Sequence, residues 1–283
     1  MQSRLIDDSS LPVKLILFIG FLGIGLFVFF PMYWLLISAL RPGSMLFTRD
    51  VSLLPIGLTL DNFRNVVTDP RIARYLRNSL VVSVTTSAVT TVICAYAGYS
   101  FSKYRYRGRK SLMFLVMTSQ MFPFAVLLLT IYTMMRSLGM LDRYIALVLS
   151  FVTFTLPVGT WTLKSFFDHI PDSLIESAKI DGAPRLMILH RIILPLTIPG
   201  MMTVAVYGFV WSWNDLLYSL TLITSPEKRT LAAGLLMTYM GEFQQNWGNM
   251  MAASIWVSLP VMVGFILLQR TFVRGLTAGA EKG

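Results

Sequence analysis

Trp211, Trp213, Asn214, Asp215 and Tyr218 fall within one short run, Trp-Ser-Trp-Asn-Asp-Leu-Leu-Tyr, which has the chemistry to hold a polar ring. Aromatic faces stack on the apolar faces of sugar rings while amides and carboxylates bind hydroxyls, so the run suits a sugar path. It suits equally an interfacial aromatic belt in which Asn214 caps or kinks a helix. A second stretch, 170–200, is built to move or to dock. Pro171 fits a first helical turn, and Asp172 and Glu176 add negative charge near that helix's positive end. The spacing predicts a helix over 172–180, with Leu174, Ile175 and Ala178 on one face and Glu176 able to pair with Lys179 on the other. Gly182 permits the left-handed backbone that ends a helix cheaply, and Pro184 opens a second helix with Leu186, Leu189 and Ile193 along one side. Pro195 and Pro199 stop that second helix or kink it. The outcome is a helix, a bend and a helix whose apolar face needs a partner.

Little else suggests chemistry, and no catalytic residue is expected. The phosphate-loop lookalike Gly108-Arg109-Lys110-Ser111 lacks the upstream glycine and the Gly-Lys pair that hold phosphates, so energy must come from another subunit or from a gradient. The lone cysteine, Cys94, lies in an apolar run and excludes a disulfide framework. His169 and His190 share no metal-ligand spacing, so no metal is expected. The net charge of +10 does not imply nucleic acid, because the basic residues flank apolar runs, as membrane topology signals do.

The elements that must position these stretches are membrane helices. Of 283 residues 55% are hydrophobic and only 13% charged, more apolar surface than a soluble domain can cover. Spans are expected at 15–40, 79–101, 112–135 kinked at Pro123, 144–163 kinked at Pro157, 198–223, and 250–268 with Pro260 inside. The first is too long for a signal-peptide core and reads as a retained span. The second is rich in small residues and belongs inside a bundle. Loop 41–78 carries turn signals and one short helix near 60–67. The cluster Lys103, Arg105, Arg107, Arg109 and Lys110 marks the cytosolic side, which puts both termini and residues 170–195 there as well. Arg71, Arg74 and Arg77 run against that rule. The fold class is therefore an all-α integral membrane protein of six transmembrane helices. It divides into a cytosolic N-terminus (1–14), a transmembrane domain (15–269) with a cytosolic helix-bend-helix loop (164–195), and a short, flexible, basic cytosolic tail (270–283). The spans hold almost no ionisable group apart from Asp215, which argues against a proton or sodium relay.

The run Glu176-Ser177-Ala178, then Asp181-Gly182-Ala183, then Ile192, Leu194-Pro195 and Pro199 resembles the Glu-Ala-Ala loop of permease subunits of binding-protein-dependent ABC importers. Two positions depart from that pattern: Ser177 stands where a second alanine is usual, and Pro184 where a small polar residue is common. The resemblance implies the type I importer permease fold and a loop that docks into a cleft on the ATP-binding subunit, with Glu176, Ser177, Ala178, Asp181, Gly182, Ala183, Leu194 and Pro195 as the coupling residues. The Trp-Asn segment at 211–218 and the ending Gly-Leu-Thr-Ala-Gly are similar to carbohydrate importers of the maltose type. That branch implies an outer loop in which Gln244, Gln245 and Asn246 contact the binding protein, although a plain solvated loop explains them as well. It also implies a homologous second permease, two ATP-binding subunits that hold ATP and magnesium, an extracytoplasmic sugar-binding protein, a lipid bilayer, and a di- or oligosaccharide as cargo. Two alternatives stay open: a gradient-driven secondary carrier, and an importer of this class for a non-sugar solute.

Overall fold

A computed structural model describes residues 11–46, 53, 54, 56–241 and 245–280, with the backbone alone for 11, 12 and 267–280. The described residues are helical with no strand. They fall into two compact units, one drawn from Met1–Asp69 and Thr238–Leu259, the other from Pro70–Met237 and Pro260–Gly283.

In the first unit, helix α1 (Leu11–Leu40) leaves most of its apolar side chains exposed and buries only its last turn, around Ile37 and Ala39. An apolar helix without a protein partner along its length belongs in lipid. Its carbonyl end is tied down by the short helix α2 (Asp61–Thr68): Asn62 Nδ2 donates to Ala39 O at 2.9 Å and Arg41 O at 2.7 Å. Those bonds satisfy carbonyls that a helix end otherwise leaves open.

The second unit is organised by α3 (Pro70–Lys103), which packs along α6 (Tyr144–Asp168) and α9 (Ile198–Trp213). Small hydroxyl side chains line the contact: Thr90 and Thr155 share a hydrogen bond of 2.8 Å, and Ser87 Oγ donates to Ala205 O at 2.6 Å. Gly98 lies so close to α6 that an added Cβ would stand 2.9 Å from the Lys164 backbone nitrogen. This is the close approach that small residues allow in a bilayer, where apolar contact alone gives helices no drive to associate. The helix starts at Pro70, nine positions before the expected span, so Arg71, Arg74 and Arg77 sit on its first turns.

Two expected spans are interrupted. Residues 112–135 do not form one kinked helix; α4 (Arg109–Thr118) passes through a tight turn at Ser119–Met121 and a non-helical stretch around Pro123 before α5 (Leu128–Ser137) begins. Likewise 198–223 divides into α9 and α10 (Leu217–Leu222), with Asn214, Asp215 and Leu216 between them. Backbone groups freed inside a membrane need new partners. One is supplied across the bundle, where Tyr218 Oη donates to Phe124 O at 3.0 Å, while Gln120 Nε2 in the first break donates to Phe154 O of α6 at 2.7 Å and ties that stretch to the neighbouring helix. Helix α6 holds Pro157 within its length. After α11 (Leu231–Tyr239), helix α12 (Trp247–Ala280) contains the sixth span and continues through the region expected as a flexible tail, as far as Ala280.

Helices Val13–Leu40, Pro70–Lys103, Tyr144–Asp168 and Trp247–Ile266 are each long and apolar enough to cross a bilayer. The stretch Arg185–Leu196 together with α9 also qualifies, bent by 77°.

Opposite the 170–195 end of the second unit, Asp142 staples two loops. Its carboxylate accepts from Lys228 Nζ at 2.7 Å, from Ser225 Oγ at 2.6 Å, and from the backbone N–H groups of Thr224 and Ser225. Burial works against the charge, but the Lys228 ammonium and the Ser225 and Thr224 donors outweigh it and hold the carboxyl well below the usual carboxylate range. A depressed value stabilises the fold above the ordinary Asp pKa, about 3.9, and that contribution fades as pH falls through the folded value. Asp142 has φ +58°, a conformation Asn also tolerates, so Asp142→Asn removes the charge without straining the backbone. The variant is expected to lose about 1 kcal/mol at neutral pH, because the pair is partly exposed, and the difference from the parent should vanish in strong acid. Thermal unfolding of both proteins in detergent across that pH range measures it.

Candidate functional site

The stretch 170–200 folds as α7 (Asp172–Ile180), a bend, and α8 (Arg185–Leu196). The bend closes as a Schellman motif: Ala183 N donates to Ala178 O and Gly182 N to Lys179 O, both at 3.0 Å, with Gly182 at φ +79°. Helix α8 carries a π-turn over Leu189–Ile193. Its buried side follows the five-residue repeat of that turn, from Ile188 to Ile193, with Leu189 beside them. Leu186, expected on this face, points out instead and is 68% exposed. In α7 the buried side is Ile175 and Ala178, while Leu174 is exposed.

These side chains do not face a vacant surface. They form one core with Tyr99 of α3, with Leu163 and Phe167 of α6, and with Val204 of α9. At about 1.5–3 kcal/mol for each fully buried isoleucine, Ile188 and Ile193 alone fasten α8 firmly to the bundle. Polar contacts add to this. Lys103 Nζ donates to Ile170 O at 2.6 Å and to Asp172 Oδ1 at 2.7 Å, and this bond holds the Asp172 carboxyl below the usual carboxylate range. Tyr96 Oη and His190 Nε2 lie 2.9 Å apart, and the Arg185 guanidinium sits 5.8 Å from the Tyr104 ring. The Glu176–Lys179 pair that the three-residue spacing permits does not form; both side chains are exposed, where such a pair gains little.

Glu176, Ser177, Asp181, Gly182 and Pro195 are exposed, Ala183 and Leu194 are half-buried, and Ala178 belongs to the core. Two exposed apolar residues flank the bend: Ile180, 86% exposed, which the periodicity does not single out, and Leu186, which it places on the buried side. Their position beside the glycine, off the buried stripe, is the signal. A cleft of about 390 Å³ opens beside α7, lined by Tyr99, Lys103, Arg105, Glu176, Lys179 and Arg185 among others. The basic residues read from sequence as topology markers thus also build this surface.

The aromatic run divides. Trp211, Asn214 and Asp215 line a hollow of about 730 Å³ together with Phe124, Thr203 and Tyr207. Trp213 is buried and stacks on Phe209, and Tyr218 is fully buried against Phe124. Asn214 Nδ2 donates to Val210 O at 2.9 Å, closing α9, while Asp215 accepts from the N–H groups of Tyr218 and Ser219 and so caps α10. Phe124, Thr203 and Tyr207 escaped sequence reading because they come from other turns and another helix break.

In the loop before α12, Gln245 is exposed, and Gln244 lies outside the described residues. Asn246 Oδ1 accepts from Asn249 N at 3.0 Å, an N-cap, so that oxygen is already committed to the helix. No group of three or more His, Cys, Asp or Glu side chains among the described residues is arranged to hold a metal ion.

Residues 87–278 match the sequence profile of a family described as the binding-protein-dependent transport system inner membrane component. The Escherichia coli inner membrane ABC transporter permease protein YcjP is 36% identical, covering 94% of this chain and 96% of its own. The diacetylchitobiose uptake system permease protein DasC of Streptomyces coelicolor is 33% identical over 95% and 94%. The maltodextrin transport system permease protein MdxG of Bacillus subtilis is 34% identical over 92% and 93%. Among solved structures, a chain of a bacterial ABC transporter involved in the import of the acidic polysaccharide alginate superposes with a TM-score of 0.81 at 21% identity, covering 93% of this chain and 99% of that one.

Proposed function

Because this chain belongs to the family of binding-protein-dependent transport system inner membrane components, and is therefore a multi-pass permease subunit with ATP hydrolysis on separate subunits, we propose that it imports a di- or oligosaccharide. Its proposed assembly is a homologous second permease, two ATP-binding subunits holding ATP and magnesium, and an extracytoplasmic sugar-binding protein. Both termini and the bend at Gly182 face the cytoplasm. Family membership also removes the gradient-driven carrier as a reading.

The observation that carries the mechanism is the fusion of α7 and α8 to the ends of α3 and α6 through one core. The exposed tip, with Glu176 and Asp181 as charged contacts and Ile180 and Leu186 as apolar ones, suits a cleft on an ATP-binding subunit. Closure of a nucleotide-bound dimer would carry the tip with it. Packed side chains and the Lys103–Asp172 bond would pass that displacement to α3 and α6, and the 77° bend would pass it to α9. The hollow beside Trp211 and Asn214 is the proposed sugar contact.

Copurification of the untagged complex, with identification of the accompanying external protein and its bound ligand, tests the assembly and the cargo together. A complex lacking an ATPase would overturn the mechanism, and an external protein loaded with an amino acid or an ion would overturn the cargo. For the path itself, Trp211→Leu removes a stacking face worth about 1 kcal/mol and is expected to raise the KM of uptake about fivefold, while Trp211→Phe keeps most of it. Unchanged uptake by Trp211→Leu would assign the residue to packing alone.

A further inference from the structure

The end of the bundle that carries the bend has a second feature, outside the surface assigned to coupling. An apolar groove of about 480 Å³ runs between α3, α4 and α6, floored by Phe101, Met113, Phe114, Met117 and Trp161. Its rim is basic, with Arg109, Lys110 and Lys164. A polar hollow of about 540 Å³ shares Arg109 and Lys110 with the groove and adds Arg105, Arg107 and Ser111. Few acids answer these charges: Lys164 pairs with Asp168 and Asp172 acts on Arg105 from the neighbouring cleft, but Arg107, Arg109 and Lys110 have no ion pair among the described residues. Helix α4 aggravates the imbalance, because Arg109 and Lys110 stand at its positive end with no acid in its first turn.

A cationic basin opening into an apolar groove matches one kind of molecule, an amphiphile with an anionic head. Phe114 is 73% exposed and Trp161 53%, as side chains that meet acyl chains would be, and a basic basin beside them suits the level of anionic headgroups. We propose that this pair of hollows is a binding site for an anionic phospholipid of the leaflet on the bend's side. Its phosphate sits on Lys110, Arg107 and Ser111, and one acyl chain lies along Met113, Phe114 and Trp161. Arg109 is otherwise engaged, donating to Ser102 O and Tyr104 O, and so fixes the loop that shapes the basin.

The test uses the full-length chain with its copurifying subunits in phosphatidylcholine nanodiscs. Bromine-labelled phosphatidylglycerol or bromine-labelled phosphatidylcholine is titrated in. Trp161 emission is isolated as the difference from Trp161→Phe. Half-quenching is expected at a severalfold lower mole fraction of the anionic lipid. Each basic residue near a charged surface contributes about fivefold, so Lys110→Gln should lower the preference by about that factor and Lys110→Arg should keep it. Equal quenching by the two lipids would overturn the proposal, as would a Trp161 that neither lipid reaches, since a protein partner would then cover the groove. The readout is independent of ATP hydrolysis: a preparation without ATPase activity but with the lipid preference intact would count against the transport reading and support this site.

Discussion

Gly182→Val is expected to cut ATP hydrolysis stimulated by the loaded binding protein about tenfold and to weaken copurification of the ATP-binding subunits. Gly182 stands at φ +79°, where a side chain costs about 1–2 kcal/mol and a β-branched one more. Nothing lies within 4 Å of the position a Cβ would take, so the cost is conformational and not a clash. It falls on the motif that turns α7 into α8, where the Ala183 to Ala178 and Gly182 to Lys179 bonds would be lost together. The chain should still insert and fold, because the core under Ile175, Ile188 and Ile193 is untouched. Gly182→Asn should retain most activity, since Asn accepts the left-handed conformation. Normal stimulated hydrolysis in the valine variant would refute the coupling role.

Gly98→Leu should fail earlier, at assembly of the bundle. The first added carbon would meet the backbone nitrogen of Lys164 at 2.9 Å and Leu163 Cβ at 3.1 Å. Backbone cannot rotate away as a side chain can, so α3 and α6 must separate along the contact that carries Thr90 and Thr155. A loss of about 3 kcal/mol, the upper end for overpacking, is a large share of ordinary domain stability. Expression should fall, and detergent melting should move down by several degrees. Gly25→Leu on α1, where nothing lies within 4 Å, is the matched control and should change stability by less than about 0.5 kcal/mol. Equal behaviour of the two variants would show that α3 and α6 do not depend on this approach.

Much of the fold was legible because its signals are local. The glycine bend needs only a positive φ, and it lies where the punctuation by Gly182 and Pro184 puts it. The small residues of α3 announced close packing, and Gly98, Thr90 and Ser87 provide it. What stayed hidden depends on neighbours. A π-turn has no propensity signature, so Leu186 was assigned inward on 3.6-residue spacing and in fact faces out. The break near Pro123 looked like a kink because nothing local reveals that Gln120 and Tyr218 bond across the bundle in that region. Within the aromatic run, composition marked Trp211 and Asn214 as lining residues but could not separate them from Trp213 and Tyr218, which point into packed protein. Asn246 was read for its outward chemistry, and its carboxamide oxygen serves the helix behind it.

The Tyr218 to Phe124 bond joins two of the places where the second unit's spans give up their own ladders. A bare carbonyl in hydrocarbon costs several kcal/mol, so the stretch around Phe124 tolerates its irregular path only while the hydroxyl of α10 remains in reach. The irregularities are therefore a matched pair. Straightening either span alone would strand the other, and any opening of this bundle has to move both as one piece or exchange that hydroxyl for water.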